Sequence, residues 1–340
     1  MNAPQLSLPT VRVLIPKQIN PARARGEIRV LSSTCMGTTW SVRLVDGGVL
    51  PPPELTERIA ALLECIENQM SHFRPDSDLR RFATLPAGEA QTLPAEFARV
   101  LRGALDVARL SEGAFDPALA SLVDAWGFGA GPRFSQAGFV PPQTGALAEH
   151  TAGWKKLEID TQDRLRQPGG VALNLAAIAK GFAVDAVSEH LAQSGYQNHL
   201  VEIGGELRGA GCKPDGQPWW VALELPRANC PLPATRIALH GLCVATSGDY
   251  RRSYRLNDRL IHHTLDPRSG MPAAHALSSV TVIHRECMYA DAWATAIMVL
   301  GHKAGLELAE KMNLCALLQG QDDAGNWTEA SSTAWTNLQQ

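Results

Sequence analysis

The chain has 340 residues, 45% of them apolar, and a formal net charge of −3, which fits a globular protein with one large core or two small ones and excludes a disordered polyelectrolyte. The mildly acidic balance argues against the basic surface of a nucleic-acid binder and against a polybasic membrane patch. No apolar run approaches the roughly 20 residues of a membrane span, and seven cysteines without any C-x-x-C spacing read as free thiols in a reducing compartment, not as a disulfide framework or a zinc site.

Residues 1–27 read as a flexible tail: Pro4, Pro9, Pro16 and Pro21 break it, and it has no apolar h-region of a signal peptide. A cytoplasmic location is therefore expected. Residues 28–45 read as strand, with Thr38, Trp40, Val42 and Leu44 alternating. Pro51 to Pro53 open a helix to about His72, with Leu55, Ile59, Leu62, Ile66 and Met70 on one stripe. Pro94 opens a second helix, and Gly113 lies past its end. Residues 127–153 are rich in Gly, Pro and Ala and read as irregular. Short strands are expected at 156–159 and 171–173, and a helix over about 178–194, stopped by Gly195. Strand-like runs follow at 199–203, 219–225, 235–240, 242–245 and 277–284. A last helix is expected over about 290–313, interrupted near Gly301, with a closing strand at 315–319 and a tail over 321–340. There is no internal repeat and no regular βαβ alternation. The fold class is α+β with mixed or antiparallel sheets and packed helices, in a single domain over 28–320.

No G-x-G-x-x-G, no Walker-type loop, no HExxH and no GxSxG occurs. Four polar segments interrupt the apolar pattern instead. The first, 111–117, ends in Asp116-Pro117; its Asp can accept ligand hydrogen bonds or simply close its own turn. The second, 174–181, carries Asn174 and Lys180 where a helix begins, which suits a phosphate but equally an Asn N-cap beside a solvated lysine. The third comprises 246–252 and 261–270. There His263 can relay a proton, and Arg268 can meet a phosphate or lock Asp266, against the reading of a satisfied loop network. The fourth, 289–296, places Asp291 and Thr295 four apart on one helical face. A carboxylate and a hydroxyl there can hold a hard cation; the alternative is an Asp N-cap with a Thr bonding back to the preceding turn.

In this order, the segments resemble the ApbE family of FAD:protein FMN transferases over roughly residues 30–320. The matching pieces are Met36-Gly37-Thr38, 70–77, Gly113 through Pro117, Ala177 through Gly181 with Asp185, Ile203-Gly204-Gly205-Glu206, 246–250, His263 through Gly270, and Ala290-Asp291 with Thr295. The resemblance implies a T-fold-type α+β architecture with a flavin cleft between two lobes. It implies that Met36, Phe73, Ala114, Phe115, Asp116, Asn174, Lys180 and Leu265 line FAD. It further implies that Ala177 (through its carbonyl), Asp291 and Thr295 hold Mg²⁺, with Mn²⁺ as an option, and that His263 and Asp291 act at the pyrophosphate. Two positions depart from the family pattern: Phe73 stands where Tyr is common, and Asn174 where Asp is common.

The implied reaction is metal-dependent transfer of FMN from FAD to a Thr or Ser hydroxyl of an acceptor protein, with release of AMP. A metal-dependent FAD pyrophosphatase and a non-catalytic FAD-binding protein are the alternatives.

Overall fold

The computed structural model describes residues 11–16, 24–48, 51–142, 152–248, 253–256, 259–273 and 277–338. In chain order, β1 (Val11–Leu14) precedes the hairpin of β2 (Ile28–Cys35) and β3 (Thr38–Val45). Helices α1 (Glu54–Met70) and α2 (Asp78–Ala83) follow, then β4 (Ala90–Thr92), α3 (Ala95–Leu110) and α4 (Ala120–Ala125). After a 3-10 turn at Gly153–Lys156 come β5 (Glu158–Ile159), β6 (Arg164–Arg166) and α5 (Ala179–Gln193). Then come β7 (His199–Ile203), β8 (Glu206–Ala210), β9 (Trp219–Ala222), β10 (Ala234–Leu239) and β11 (Leu242–Gly248). Two short pairs, β12 (Ser253–Leu256) with β13 (Arg259–His262) and β14 (Leu265–Asp266) with β15 (Met271–Pro272), lead to β16 (Leu277–His284). The chain closes with α6 (Cys287–Lys311), β17 (Cys315–Gln321), β18 (Trp327–Ser331) and α7 (Thr333–Thr336).

The α+β class holds. An antiparallel eight-stranded sheet runs β18-β17-β16-β11-β8-β7-β3-β2. Its strands carry apolar residues on both faces, because both are covered. Trp40, Val42 and Leu44 on β3 and Ala316 and Leu318 on β17 join α1, α3, α5 and α6 in the main core. Their neighbours Val45, Cys315 and Leu317 turn the other way, onto β9, β10 and α7. The period-2 side-chain alternation of a strand makes this possible. On α1 the buried line runs through Leu63 where the sequence suggested Leu62.

A third, separate cluster joins Leu122, Trp126, Phe128, Ile261 and Leu265. It ties α4 to the β12–β15 region. A small cleft lined by His72, Arg80, Asp124, Leu173 and Asn174 adjoins it.

Several expectations change. The 28–45 strand is a hairpin: Met36 (φ 53°) and Gly37 (φ 69°) form the two-residue left-handed turn that suits strand twist. Residues 171–173 are not a strand, because the Gln167 side chain binds the Val171 backbone on both sides, its amide donating to the carbonyl at 3.0 Å and its oxygen accepting from the N–H at 3.1 Å. The described parts of the stretches expected to be tails include ordered elements. Within 1–27, β1 pairs in parallel with β10, and Arg12 forms an ion pair with Glu329. Within 321–340, β18 extends the main sheet and α7 buries Trp335 completely. These elements are only four or five residues long, too short for a periodicity to stand out; burial of a few side chains stabilises them. The break at Gly301 is as expected, with φ 77° inside α6.

Candidate active site

The site is built where α5 meets α6. Gly181 sits on the first turn of α5, and a Cβ there would lie 2.3 Å from the Cys287 carbonyl oxygen, so only glycine lets the two backbones touch. The Gly181 N–H is among the first N–H groups of α5, which have no intrahelical acceptor. It donates to Asp291 Oδ2 at 3.1 Å, and the Ala177 carbonyl lies before the helix, whose N-cap is Ile178. Asp291 is buried. Burial pushes its carboxyl pKa up, while Lys180 and the Gly181 N–H oppose the shift.

Lys180 donates to Glu206 Oε1. Burial alone would lower its pKa, yet the Asp291 and Glu206 carboxylates hold it above the ordinary lysine range. One turn beyond Asp291, the Thr295 hydroxyl meets Ser247 Oγ at 3.0 Å. Behind the site, buried Asp185 binds Arg208 Nη1 at 2.6 Å and accepts from the Met288 N–H at 3.0 Å, which fixes the start of α6.

Among the described residues, no three or more His, Cys, Asp or Glu converge as a metal nest. Asp291 offers a carboxylate and Thr295 a hydroxyl one turn apart on α6, and the Ala177 carbonyl lies before the start of α5. This all-oxygen set suits Mg²⁺ or Mn²⁺ completed by water and phosphate oxygens.

Asp116 lies on the turn after α3. Its Oδ1 accepts from Ala118 N at 2.7 Å and its Oδ2 from Trp154 N at 3.3 Å. Burial outweighs these bonds and raises its pKa to about 6. The next stretch reaches Asn174 through Asn174 N donating to the Pro117 carbonyl at 2.7 Å. Ala114 and Phe115 are buried, Phe115 in the main core. Met36 occupies the β2–β3 turn. That turn packs beside Gly204, whose ideal Cβ would sit 3.0 Å from Thr38 Cγ2 and 3.5 Å from Lys180 Cδ. Phe73 is 46% exposed with the Arg133 guanidinium 5.8 Å from its ring centre. Leu265 is buried in the third apolar cluster, and His263 stands edge-on to Phe128 at 6.3 Å.

The structure settles several local alternatives. Asn174 is not the cap of α5, whose N-cap is Ile178; its Oδ1 accepts from Ala176 N at 3.0 Å in an Asx turn. Lys180 is paired, not merely solvated. Asp291 is not an N-cap, since α6 begins at Cys287. Arg268 is locked to Asp266 by two contacts of 2.9 Å. Asp249, Tyr250, Arg251 and Arg252 of the third polar segment lie outside the described residues. Sequence reasoning gave no role to Glu206, Ser247 or the Asp185–Arg208 pair. Only Glu206 carried a local signal: Gly204 (φ 62°) and Gly205 (φ 107°) make the hairpin turn that delivers it.

A model of the ApbE family matches residues 36–318. The FAD:protein FMN transferase of Haemophilus influenzae is 37% identical over 312 residues, 89% of each chain. That of Vibrio cholerae is 34% identical over 89% of this chain and 90% of its own. Among solved structures, the apo flavinyl transferase ApbE of Pseudomonas stutzeri superposes with a TM-score of 0.82 at 36% identity, covering 92% of this chain and 96% of its own. The Vibrio cholerae flavin transferase ApbE gives 0.83 at 32% identity, covering 92% and 99%.

Proposed function

Because this chain belongs to the ApbE family, we propose that it transfers the FMN half of FAD to a Ser or Thr hydroxyl of an acceptor protein and releases AMP. The observation that carries the reading is the seating of Asp291 against the first turn of α5, beside Lys180.

Ala177, Asp291 and Thr295 would hold the Mg²⁺ or Mn²⁺ ion, which when bound neutralises charge developing on the pyrophosphate oxygens. The Lys180 ammonium adds a fixed positive charge at the same place. The acceptor hydroxyl attacks the FMN-side phosphorus, a P–O bond forms to the acceptor, and the bridging P–O bond to AMP breaks. His263 takes the hydroxyl proton. Phe73 offers an exposed ring face for the isoalloxazine. Asp116, Asn174, Met36 and Leu265 line the flavin, joined by the backbone of Ala114 and Phe115. The described cysteines are free thiols, five of the seven buried, which supports work in a reducing, cytoplasmic setting. No described helix is long and apolar enough to cross a membrane.

The test incubates the protein with FAD and Mg²⁺, with and without an acceptor protein, and follows AMP and flavin bound to the acceptor. AMP only with acceptor is the expected result. AMP without acceptor would show the hydrolase, and no AMP at all a carrier. Asp291→Ala should cut transfer at least about 100-fold, some 2.7 kcal/mol of barrier. Full activity in that variant would sink the metal assignment.

A further inference from the structure

We propose that Glu206 is a positioning residue: it draws the Lys180 ammonium to itself and so keeps the Asp291 carboxylate open to a divalent cation. The inference rests on the reading that Asp291 binds that cation.

Three charges meet here. Lys180 donates to Glu206 at the start of β8 and its chain neighbour Gly181 donates to Asp291 on α6, so two carboxylates from different elements act on its charge. The ammonium's hydrogen bond goes to Glu206 Oε1, while Asp291 Oδ2 accepts from the Gly181 N–H at 3.1 Å. Glu206 is 3% exposed, and its other oxygen, Oε2, is buried without a hydrogen-bond partner. Nature rarely leaves a buried carboxylate oxygen unpaired without a reason. Glu206 is also held rigidly. The Gly204-Gly205 turn sets its place, Glu202 Oε1 accepts from Gly205 N at 2.9 Å, and Gly204 packs along the Lys180 stem.

Charge counting shows what this does. With both carboxylates ionised, one lysine leaves a net negative charge, so the site attracts a cation while the lysine is occupied. One lysine with Asp291 alone is neutral. Its ammonium would then settle on the same carboxylate oxygens a divalent ion needs. Glu206 thus separates two positive charges that would otherwise compete for Asp291.

The test measures Mn²⁺ binding by electron paramagnetic resonance on the full chain without FAD, so no turnover enters the readout. Circular dichroism checks that each variant is folded. Glu206→Gln should weaken Mn²⁺ binding by about 10-fold or more. Adding Lys180→Met to Glu206→Gln should restore most of that loss, because the competing ammonium is gone. Lys180→Met alone should bind Mn²⁺ at least as tightly as the unaltered protein. A purely structural role for Glu206 would not be repaired by a second substitution. If Asp291→Ala binds Mn²⁺ normally, the cation reading itself fails. If Asp291→Ala loses Mn²⁺ while Glu206→Gln binds normally, or Lys180→Met fails to rescue or itself weakens binding, the positioning role is overturned and the cation reading stands.

Discussion

Asp116 shows how burial sets the chemistry of a single side chain. Its carboxyl ionises near 3.8 when free and at about 6 in the folded protein, with burial as the main cause. Below 3.8 both states are protonated and the group costs nothing. As pH rises through 6, the folded state must hold a buried charge, so stability present at low pH is lost. A shift of this size corresponds to roughly 3 kcal/mol at most. His199 works in the opposite sense: it is buried, bound to Ser188 Oγ at 2.7 Å, and its pKa is lowered to about 4. Its contribution is present above pH 6.5 and lost as pH falls through 4, so the unaltered protein's pH curve mixes two opposed effects. The clean comparison is Asp116→Asn. Relative to the unaltered protein, this variant should gain stability from pH 4 to 6.5 and then stay level, as read from urea midpoints at each pH. A difference that does not change with pH would show that Asp116 does not titrate there.

At the level of elements, the α5–α6 contact decides whether the site exists. The two helices approach so closely because Gly181 lacks a Cβ, and the Gly181 N–H is free for Asp291 because it belongs to the first turn of α5, where N–H groups have no intrahelical acceptor. Gly181→Ala would place a methyl carbon against backbone, which cannot yield as a flexible side chain can. Overpacking usually costs about 1–3 kcal/mol, and a backbone clash belongs at the upper end. The variant should lose about 3 kcal/mol in urea unfolding and lose transfer activity with it, because Asp291 moves with α6. Unchanged stability would mean the helices sit further apart. Asn174 shows the limit of reading such elements from local signals. A polar residue before a helix predicts an N-cap, but the chain reaches α5 through an Asx turn and caps it with Ile178.

Over the whole molecule, the ends of the chain close the structure. β1 adds to the sheet beside β10, β18 adds to the main sheet, and α7 places Trp335 fully inside the second core. Trp335→Ala should cost about 3–5 kcal/mol, as for other large buried aromatics. A loss below about 1 kcal/mol by denaturant titration would show that 327–338 does not belong to the cooperative unit. This packing also explains the two-faced apolar pattern of β3 and β17, since one face meets helices and the other meets β9, β10 and α7.

By itself the sequence determined the α+β class, the positions of α1, α3, α5 and α6, the strands at 199–203 and 277–284, and the break at Gly301. These rest on local periodicity and on glycine, which act over a few residues whatever the rest of the chain does. It also placed Asp291 and Thr295 on one helix face, because four-residue spacing is a property of the helix alone. Tertiary structure alone decided what those residues meet. Gly181 and Asp291 are 110 positions apart, Lys180 and Glu206 are 26 apart, and Ser247 and Thr295 are 48 apart. No local rule relates such pairs; their contact follows from how the sheet and helices pack. The chain ends were misread for the same reason: β18 and α7 are ordered mainly by the core they cover, and that core is assembled from distant segments.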